Sequence, residues 1–384
     1  MRVLHVLERS LPFVNGYTFR AQRLIKALHD NDIETIQVTG IHHDQFQKTK
    51  EYVDGVEFER TAKGINPLVK IPYVDQKIAA SKLKKKISKI LSSNKVDLIH
   101  IHGPAYNGIA AINAAKKHNI PLLYDYDLFL ETTDLKDSVL DHVDLITVST
   151  DAVKNDLERS GVNEQKIAVI EDGIVPCDVE ITEDEYNDLR ARLNFEGMTV
   201  FGYIGFFHDY EGGDILIRSM RSIMLREPNA CLLIVGDGDM DQEWQHLASR
   251  KMLGDRVIFT GFVPQEKIPK FLDQIDIYVS PRQKVPHSES VVPNKLKEAM
   301  QKGKLVLASN IGGHRMVIED GKNGFLFKAG DPIALAEKYG EMLECKDQWD
   351  SIKNNAKLDA QEKYDFNLSM EILINNYNRL LGNV

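Results

Sequence analysis

The chain has 384 residues, 43% of them hydrophobic, and this length predicts two domains that each bury a sizeable core. Its formal net charge of -9 argues against general nucleic-acid binding, which depends on clustered Lys and Arg against phosphate. Cys177, Cys231 and Cys345 are too widely spaced for a disulfide framework or a zinc site, so we expect three buried, unreactive thiols. An early-charged N-terminus and the lack of an apolar run of roughly 20 residues predict a cytoplasmic protein.

Short β-branched apolar runs alternate with segments of helical periodicity, which is typical of parallel sheets with helices on both faces. The predicted strands are 3–7, 35–38, 98–101, 122–124, 145–148, 167–170, 199–204, 230–235, 257–260, 275–279 and 305–308. Eleven strands are too many for one ordinary open sheet. We therefore predict two doubly wound, Rossmann-like α/β domains that face a central cleft. They span residues 1–190 and 191–365, and a terminal helix over 366–384 packs back on the body.

The loop after the first predicted strand lacks the G-x-G-x-x-G fingerprint, so a dinucleotide cofactor is not expected. Its glycine, Gly16, stands at the start of a predicted helix. The missing side chain would let a ligand approach the backbone, although a plain helix start explains this glycine nearly as well. Further along, segment 77–91 combines six lysines with an apolar stripe. A solvated helix face explains this pattern, and contact with anionic lipid is the alternative.

Two other strands of the first half end in polar residues. Alternation places His100 and His102 on one face of a strand, with His102 nearer the carboxyl end. Asp125 and Asp127 follow the next strand. Ligands of doubly wound sheets bind at these strand ends, so both turns indicate a site. A structural histidine and turn-capping aspartates remain the alternatives.

The second half contains the most informative segment, because a strand is followed by a basic loop and then by a helix. Arg282 and Lys284 lie in the loop, and Asn294 is a suitable N-cap for the helix. A helix N-terminus beside two cations suits a diphosphate. Glu298 in the early helix could accept hydrogen bonds from paired sugar hydroxyls. A solvated basic loop and a dipole-complementing glutamate are equally consistent with the residues alone.

Residues 292–300, 303–309 and 312–315 resemble the signature block of glycosyltransferase family 4, and so do residues 319–332. The resemblance extends over essentially the whole chain. It implies a retaining transferase of the GT-B fold that moves a hexose from a nucleotide diphosphate sugar, by default a UDP-sugar. The acceptor would be a hydroxyl of a glycan or of a lipid-linked or other molecule. The N-terminal domain would be the acceptor side, the C-terminal domain would bind the nucleotide sugar, and neither a metal nor another cofactor is implied.

The resemblance also implies residue roles. Glu298 matches the glutamate that binds the donor ribose. The glutamate that contacts the transferred sugar is replaced by Ser290, so we assign this role to its neighbour Glu289. The backbone of Val263 would meet the base. The further donor contacts are Gly205, Gly236, Val291, Val292, Asn294 and Lys295.

Several positions depart from the family pattern. Phe206 and Glu211 stand where many relatives have an arginine and a lysine that clamp the diphosphate. We therefore expect Arg282 and Lys284 to supply the positive charge, as in a subgroup that resembles enzymes of exopolysaccharide assembly. Met316 replaces a glutamate often found after the Gly-Gly pair.

In the first half, His102 matches a histidine-bearing strand end, and Asp127 replaces a histidine that contacts the transferred sugar. A lipid-linked acceptor would suit peripheral contact of segment 77–91 with the inner face of the membrane. Two other classes stay open from the sequence: a catalytically silent subunit that binds a partner, and a nucleotide-sugar epimerase that needs no acceptor.

Overall fold

A computed structural model describes residues 1–13, 16–41, 49–62, 72–127, 137–175 and 182–382. The chain forms two compact units. The N-terminal unit comprises Met1–Glu171 and Leu368–Val384, and the C-terminal unit comprises Asp172–Asn367. The division therefore lies between residues 171 and 172, whereas the sequence predicted a boundary between residues 190 and 191. The segment before residue 190 belongs to the second unit because Arg190 donates hydrogen bonds to the carbonyls of Met198 (2.8 Å) and Gln274 (3.1 Å).

The N-terminal unit is built on one eight-stranded sheet in the order β3-β4-β2-β1-β5-β6-β7-β8. Its strands are β1 (Arg2–Leu7), β2 (Glu34–Thr39), β3 (Lys50–Val53), β4 (Val56–Arg60), β5 (Leu98–His102), β6 (Leu122–Asp125), β7 (Leu145–Val148) and β8 (Ile167–Val169). Neighbouring strands are parallel apart from the β3–β4 hairpin. That hairpin was not predicted, since its strands are short and charged. Its turn, Asp54-Gly55 with φ of 49° and 83°, is nevertheless a hairpin signal.

Up to Glu171, the described residues of this unit form five α-helices. They are α1 (Gly16–Asp30), α2 (Pro72–Ser93), α3 (Ala105–Ala115), α4 (Asp137–Leu140) and α5 (Asp151–Arg159). The lysine-rich segment 77–91 lies in α2, whose apolar residues Leu83, Ile87 and Ile90 are buried in the core. This stripe is therefore used within the protein, and Lys77, Lys84, Lys85 and Lys89 are the exposed lysines of the segment.

The C-terminal unit has a six-stranded parallel sheet in the order β11-β10-β9-β12-β13-β14. Its strands are β9 (Thr199–Ile204), β10 (Ala230–Val235), β11 (Val257–Phe259), β12 (Ile277–Ser280), β13 (Leu305–Ser309) and β14 (Phe325–Phe327). Its helices are α6 (Glu183–Arg192), α7 (Gly213–Arg226), α8 (Asp241–Arg250), α9 (Ile268–Asp273), α10 (Pro286–Ser290), α11 (Asn294–Gln301), α12 (Gly312–Arg315), α13 (Pro332–Glu344) and α14 (Trp349–Lys363).

Apolar clusters lie on both faces of this second sheet. This burial explains why its strands read as continuous apolar runs and not as alternating ones. The prediction of two doubly wound parallel α/β domains is thus confirmed. Strand β14, at the edge of this sheet, was not among the predicted strands.

The last helix, α15 (Phe366–Leu381), returns to the N-terminal unit, where Met370, Leu373 and Tyr377 are buried. Cys231 is buried, which raises the pKa of its thiol to about 12. Cys345 is only half-buried, contrary to our expectation, and Cys177 lies outside the described residues. In the described part of the chain, no helix has both the length and the apolar character needed to cross a membrane.

Candidate functional site

The strand order of the C-terminal unit reverses direction at β9, which has β10 on one side and β12 on the other. Ligands of doubly wound sheets bind at the carboxyl ends of the strands at such a switch point. The loop after β9 contains Gly205 and Glu211, and the loop after β12 contains Arg282. Gly205 and Arg282, two of the sequence-predicted donor residues, therefore flank the switch point of this sheet.

The two switch-point loops are packed tightly against each other. Gly212 has φ of 72°, and a Cβ there would lie 2.1 Å from the carbonyl oxygen of Pro281. The backbone and side-chain nitrogens of Gln283 donate to the carbonyls of Tyr210 (2.8 Å) and Asp209 (3.0 Å). This arrangement requires glycine at position 212 and fixes the spacing of the loops.

Arg282 is not the free cation that the sequence suggested. Its Nε and Nη2 donate to the two carboxylate oxygens of Glu211 at 3.0 and 2.7 Å, in a bidentate pair whose side chains are 11% and 9% exposed. Arg282 is paired because its guanidinium is buried, and a buried guanidinium needs a nearby anion. Glu211 therefore replaces the expected lysine and also binds the Arg282 guanidinium. Lys284, by contrast, is exposed.

A buried histidine connects the ends of β12 and β13 beneath these loops. His314 Nε2 lies 3.0 Å from Ser280 Oγ, and His314 Nδ1 donates to the Ser309 carbonyl at 2.7 Å. Ser309 Oγ in turn donates to the Arg282 carbonyl at 2.6 Å. Burial lowers the pKa of His314 to about 3, so this histidine is neutral and acts as a structural connector.

The predicted backbone contacts lie on neighbouring strand ends. Gly236, with φ of 129°, lies so close to the carbonyl oxygen of Gly205 that a Cβ would be 1.9 Å from it. The Gly236 amide also donates to the Gly261 carbonyl at 3.2 Å. Val263 follows two residues later and is half-buried. The loops after β9, β10 and β11 are therefore contiguous, with a glycine at each close approach.

Glu289 lies in the short helix α10, which packs on the Gly-Gly segment of α12. A Cβ on Gly312 would lie 2.0 Å from the Glu289 carbonyl, and one on Gly313 would lie 2.3 Å from the Val291 carbonyl. Arg315 Nη2 contacts Glu289 Oε2 at 3.4 Å. The sequence did not predict that Arg315, two residues after the Gly-Gly pair, contacts Glu289. Helix α12 thus contacts both the backbone and the side chain of Glu289.

Helix α11 begins one residue earlier than predicted. Pro293 occupies the N-cap position and Asn294 is the first helical residue, so Asn294 is not the cap. The reason is that proline is tolerated where no N–H is needed. On the first turns, Lys295 Nζ pairs with Glu298 Oε2 at 2.7 Å and reaches Gln265 Oε1 at 3.5 Å. The predicted ribose-binding glutamate is therefore held by a lysine of its own helix.

Three of the predicted residues each carry a buried polar atom for which the described residues offer no hydrogen-bond partner. The atoms are Arg282 Nη1, Glu289 Oε1 and Asn294 Oδ1. A buried polar group without a partner costs about 1–3 kcal/mol, and such groups are few in native proteins. These atoms are two hydrogen-bond acceptors and one charged donor, and all three belong to the segment between β12 and β13. Val291 and Val292 are half-buried in the same segment.

The N-terminal unit has its own switch point, between β1 and β5. His5 and His100 are register partners there, and the rings of His100 and His102 lie 4.1 Å apart. His5 Nδ1 is 3.1 Å from His102 Nε2, and His100 Nδ1 is 2.6 Å from the Tyr377 hydroxyl. Burial lowers the pKa of His5 and of His100. The sequence did not single out His5 or Tyr377, because they meet this strand only through the fold.

Asp125 extends the histidine cluster. Arg20 Nη1 donates to Asp125 Oδ2 at 2.8 Å, Thr147 Oγ1 donates to Oδ1 at 3.0 Å, and His102 Nδ1 is 3.5 Å from Oδ2. Burial alone would raise the pKa of Asp125, but the charge of Arg20 and the hydrogen bond with His102 outweigh it and keep this pKa below its ordinary value. Asp125 is therefore a buried carboxylate and not a simple turn cap.

The remaining predicted residues of this half lie nearby. Asp127 is half-buried just after β6. Burial, together with the charges of Glu8, Asp125 and Asp127, raises the pKa of Tyr17. Gly16 is the exposed first residue of α1, and a Cβ there would meet none of the described residues within 4 Å.

In the described ranges, His5, His100 and His102 are the one group of three His, Cys, Asp or Glu side chains close enough to share a metal ion. Their ligand atoms lie within 4.8 Å of one another. These residues are buried, and the Arg20–Asp125 pair places a guanidinium beside them. His5 Nδ1 contacts His102 Nε2 and His100 Nδ1 contacts the Tyr377 hydroxyl, so these nitrogens already take part in a hydrogen-bonded cluster.

Taken together, the fold and its switch-point residues define a nucleotide-binding α/β protein with two doubly wound sheets. Two family models match the chain: Glycosyltransferase Family 4 over residues 14–176 and Glycosyl transferases group 1 over residues 185–359. The chain is accordingly a glycosyltransferase of the GT-B fold and belongs to the family 4-like group.

Relatives and solved structures agree with this assignment. An uncharacterized glycosyltransferase of Methanocaldococcus jannaschii is 27% identical over 78% of this chain and 79% of its own length. The sulfoquinovosyl transferase of Arabidopsis thaliana is 23% identical over 94% of this chain and 70% of its own. Two structures share the fold at 19% identity: the sucrose-phosphate synthase of Thermosynechococcus elongatus and HepE of Anabaena, which was solved in complex with UDP. The TM-score is 0.80 for the synthase, over 100% of this chain and 100% of the synthase. It is 0.78 for HepE, over 99% of this chain and 100% of HepE.

Proposed function

We propose that the protein is a retaining hexosyltransferase that uses a UDP-sugar and a hydroxyl acceptor on a glycan or a lipid-linked molecule. The observation that carries the proposal is the set of buried polar atoms without partners on Arg282, Glu289 and Asn294. They flank the switch point of the C-terminal sheet, where a nucleotide is expected to bind. The structural neighbour HepE was solved with UDP and with UDP-glucose, which supports this class of donor.

Each part of the donor has a proposed partner. The diphosphate lies at the amide end of α11, where free N–H groups and the helix dipole favour an anion, with Arg282 and Lys284 adding positive charge. Glu298 accepts hydrogen bonds from the two ribose hydroxyls. Glu289 contacts the transferred sugar, and the base meets the backbone at Val263.

The proposed chemistry follows from this electrostatic arrangement. As the bond between the anomeric carbon and the diphosphate breaks, negative charge develops on the leaving oxygen and positive charge on the sugar ring. The donors at α11, Arg282 and Lys284 stabilise the leaving group. The leaving phosphate oxygen takes the proton of the acceptor hydroxyl, which then attacks from the same face. The anomeric configuration is retained without a covalent enzyme intermediate, and we assign charge neutralisation to these residues and not to a metal ion.

We assign acceptor binding to the N-terminal unit. His102 and Asp127 lie at the carboxyl ends of its strands, and Asp127 would accept a hydrogen bond from a sugar hydroxyl. The exposed lysines of α2 would bring the protein to an anionic membrane surface, where a lipid-linked acceptor is found. Their effect would be electrostatic, because the apolar stripe of this helix is buried.

The proposal is tested by thermal melting with UDP-, GDP- and ADP-glucose, because a ligand that binds the native state raises the melting temperature. We expect the UDP-sugar to give the largest shift, and NMR of the transfer product to show the anomeric configuration of the donor. Binding without turnover on any acceptor would indicate a silent subunit, and isomerisation of the donor would indicate an epimerase. No shift with any of the three donors would contradict the assignment.

A further inference from the structure

The buried pair of Glu211 and Arg282 is an unusual feature for a site that binds an anion. Glu211 places a negative charge beside the proposed diphosphate, at a position where many relatives of the family have a lysine. A carboxylate there weakens anion binding by simple electrostatics. We propose that Glu211 is a positioning residue, which holds the Arg282 guanidinium so that Nη1 is directed to the diphosphate. This inference rests on the proposed function.

The guanidinium of Arg282 is restrained on several sides. Nε and Nη2 are both engaged by Glu211, at 3.0 and 2.7 Å, and the guanidinium carbon lies 5.8 Å from the centre of the Tyr210 ring. Nη1 is buried and finds no hydrogen-bond partner in the part of the chain that the structure describes. The guanidinium of arginine is planar and rigid, so Glu211 can hold Nε and Nη2 while Nη1 is left for another acceptor.

The backbone that carries both residues is restrained as well. Ser309 Oγ donates to the Arg282 carbonyl at 2.6 Å, and Gln283 N donates to the Tyr210 carbonyl at 2.8 Å. Burial and the charge of Arg282 lower the pKa of the nearby His287 to about 4, so His287 stays neutral near pH 7. The positive charge beside His287 is therefore that of Arg282, and the Arg282 guanidinium is held in its orientation by Glu211.

Glu211→Gln separates the two effects of the carboxylate because they have opposite signs. The variant makes the site more positive, so charge alone predicts tighter UDP binding. Loss of positioning predicts weaker binding. We expect calorimetric titration with UDP to show an affinity loss of about tenfold or more. Uridine, which has no phosphate, should bind the variant and the wild type equally.

Two variants control for charge and shape. Asp214→Asn removes a carboxylate that forms the surface pair with Arg218 at 3.4 Å, and it should leave UDP affinity unchanged or slightly higher. Glu211→Asp keeps the charge but shortens the side chain, so it should lose affinity as Glu211→Gln does. An affinity equal to the wild type in Glu211→Asp, or a tighter one in Glu211→Gln, would overturn the inference.

A double-variant comparison keeps the test valid if Glu211→Gln folds poorly. Arg282→Met removes the guanidinium. Glu211→Gln added to it should then leave UDP affinity unchanged or raise it, because no arginine is left to position and the repulsion from the carboxylate is removed. A further loss in the double variant would show a structural role for Glu211 and refute positioning. The two proposals fail differently. Wild-type protein that binds no nucleotide contradicts the proposed function, whereas wild-type binding that Glu211→Gln leaves intact contradicts only this inference.

Discussion

Replacing Glu298 with alanine should affect donor binding much more than stability. The Glu298 side chain is 19% exposed and pairs with Lys295 Nζ at 2.7 Å within the same helix. Such a pair stabilises a helix by about 0.3–0.5 kcal/mol. For a domain of this size, that loss lowers the melting temperature by about 1–2 °C. The fold should therefore survive the substitution.

The cost to donor binding is expected to be larger. Hydrogen bonds to a charged group contribute about 1.5–3 kcal/mol, so loss of the ribose contact should weaken UDP binding about 10- to 150-fold. Calorimetric titration of the variant with UDP measures this change directly. Glu298→Gln should lose less, since an amide oxygen still accepts one hydrogen bond.

Glu319→Ala is a matched control for this experiment. Glu319 forms the same type of pair, with Lys322 Nζ three residues away at 2.7 Å, but both side chains are exposed. It should keep wild-type UDP affinity and a similar melting temperature. If Glu298→Ala bound UDP within about twofold of this control, a difference of only about 0.4 kcal/mol, the ribose assignment of Glu298 would be wrong.

Three further predictions concern stability and the glycines. Burial lowers the pKa of His314 to about 3, so the unfolded state binds a proton that the folded state does not. This residue's contribution to the free energy of unfolding should be constant above pH 6.5 and fall by about 1.4 kcal/mol per pH unit from pH 6.5 towards 3. The free energy of unfolding, measured by urea titration at several pH values, should fall less steeply with pH in His314→Gln than in the wild type. An equally steep fall would contradict this prediction. Gly312→Ala places a Cβ 2.0 Å from the Glu289 carbonyl, so urea midpoints should fall by an equivalent of about 1–3 kcal/mol and UDP affinity should drop with them. The Cβ of Gly16→Ala would meet none of the described residues within 4 Å, so this variant should keep its melting temperature but lose transferase activity. Full activity would make Gly16 a plain helix start.

Much of the secondary structure could be predicted because it depends on local patterns. β9 and β10 have the predicted bounds, since continuous apolar runs between turn signals favour buried strands. The first turns of α11 were recognised for a similar reason, because Pro293, Asn294 and Glu298 are close in sequence. Errors occurred where the local signal was both short and charged, as in β3 and β4.

Tertiary structure alone decided which distant residues meet. The Glu211–Arg282 pair spans 71 residues, the His5–His102 contact spans 97, and the His100–Tyr377 contact spans 277. None of these leaves a periodic signal, because each depends on the order of strands in a sheet. Local sequence determines backbone conformation and which face of an element is apolar. Strand order, and with it the switch points where the polar side chains converge, is set by how those faces are buried together.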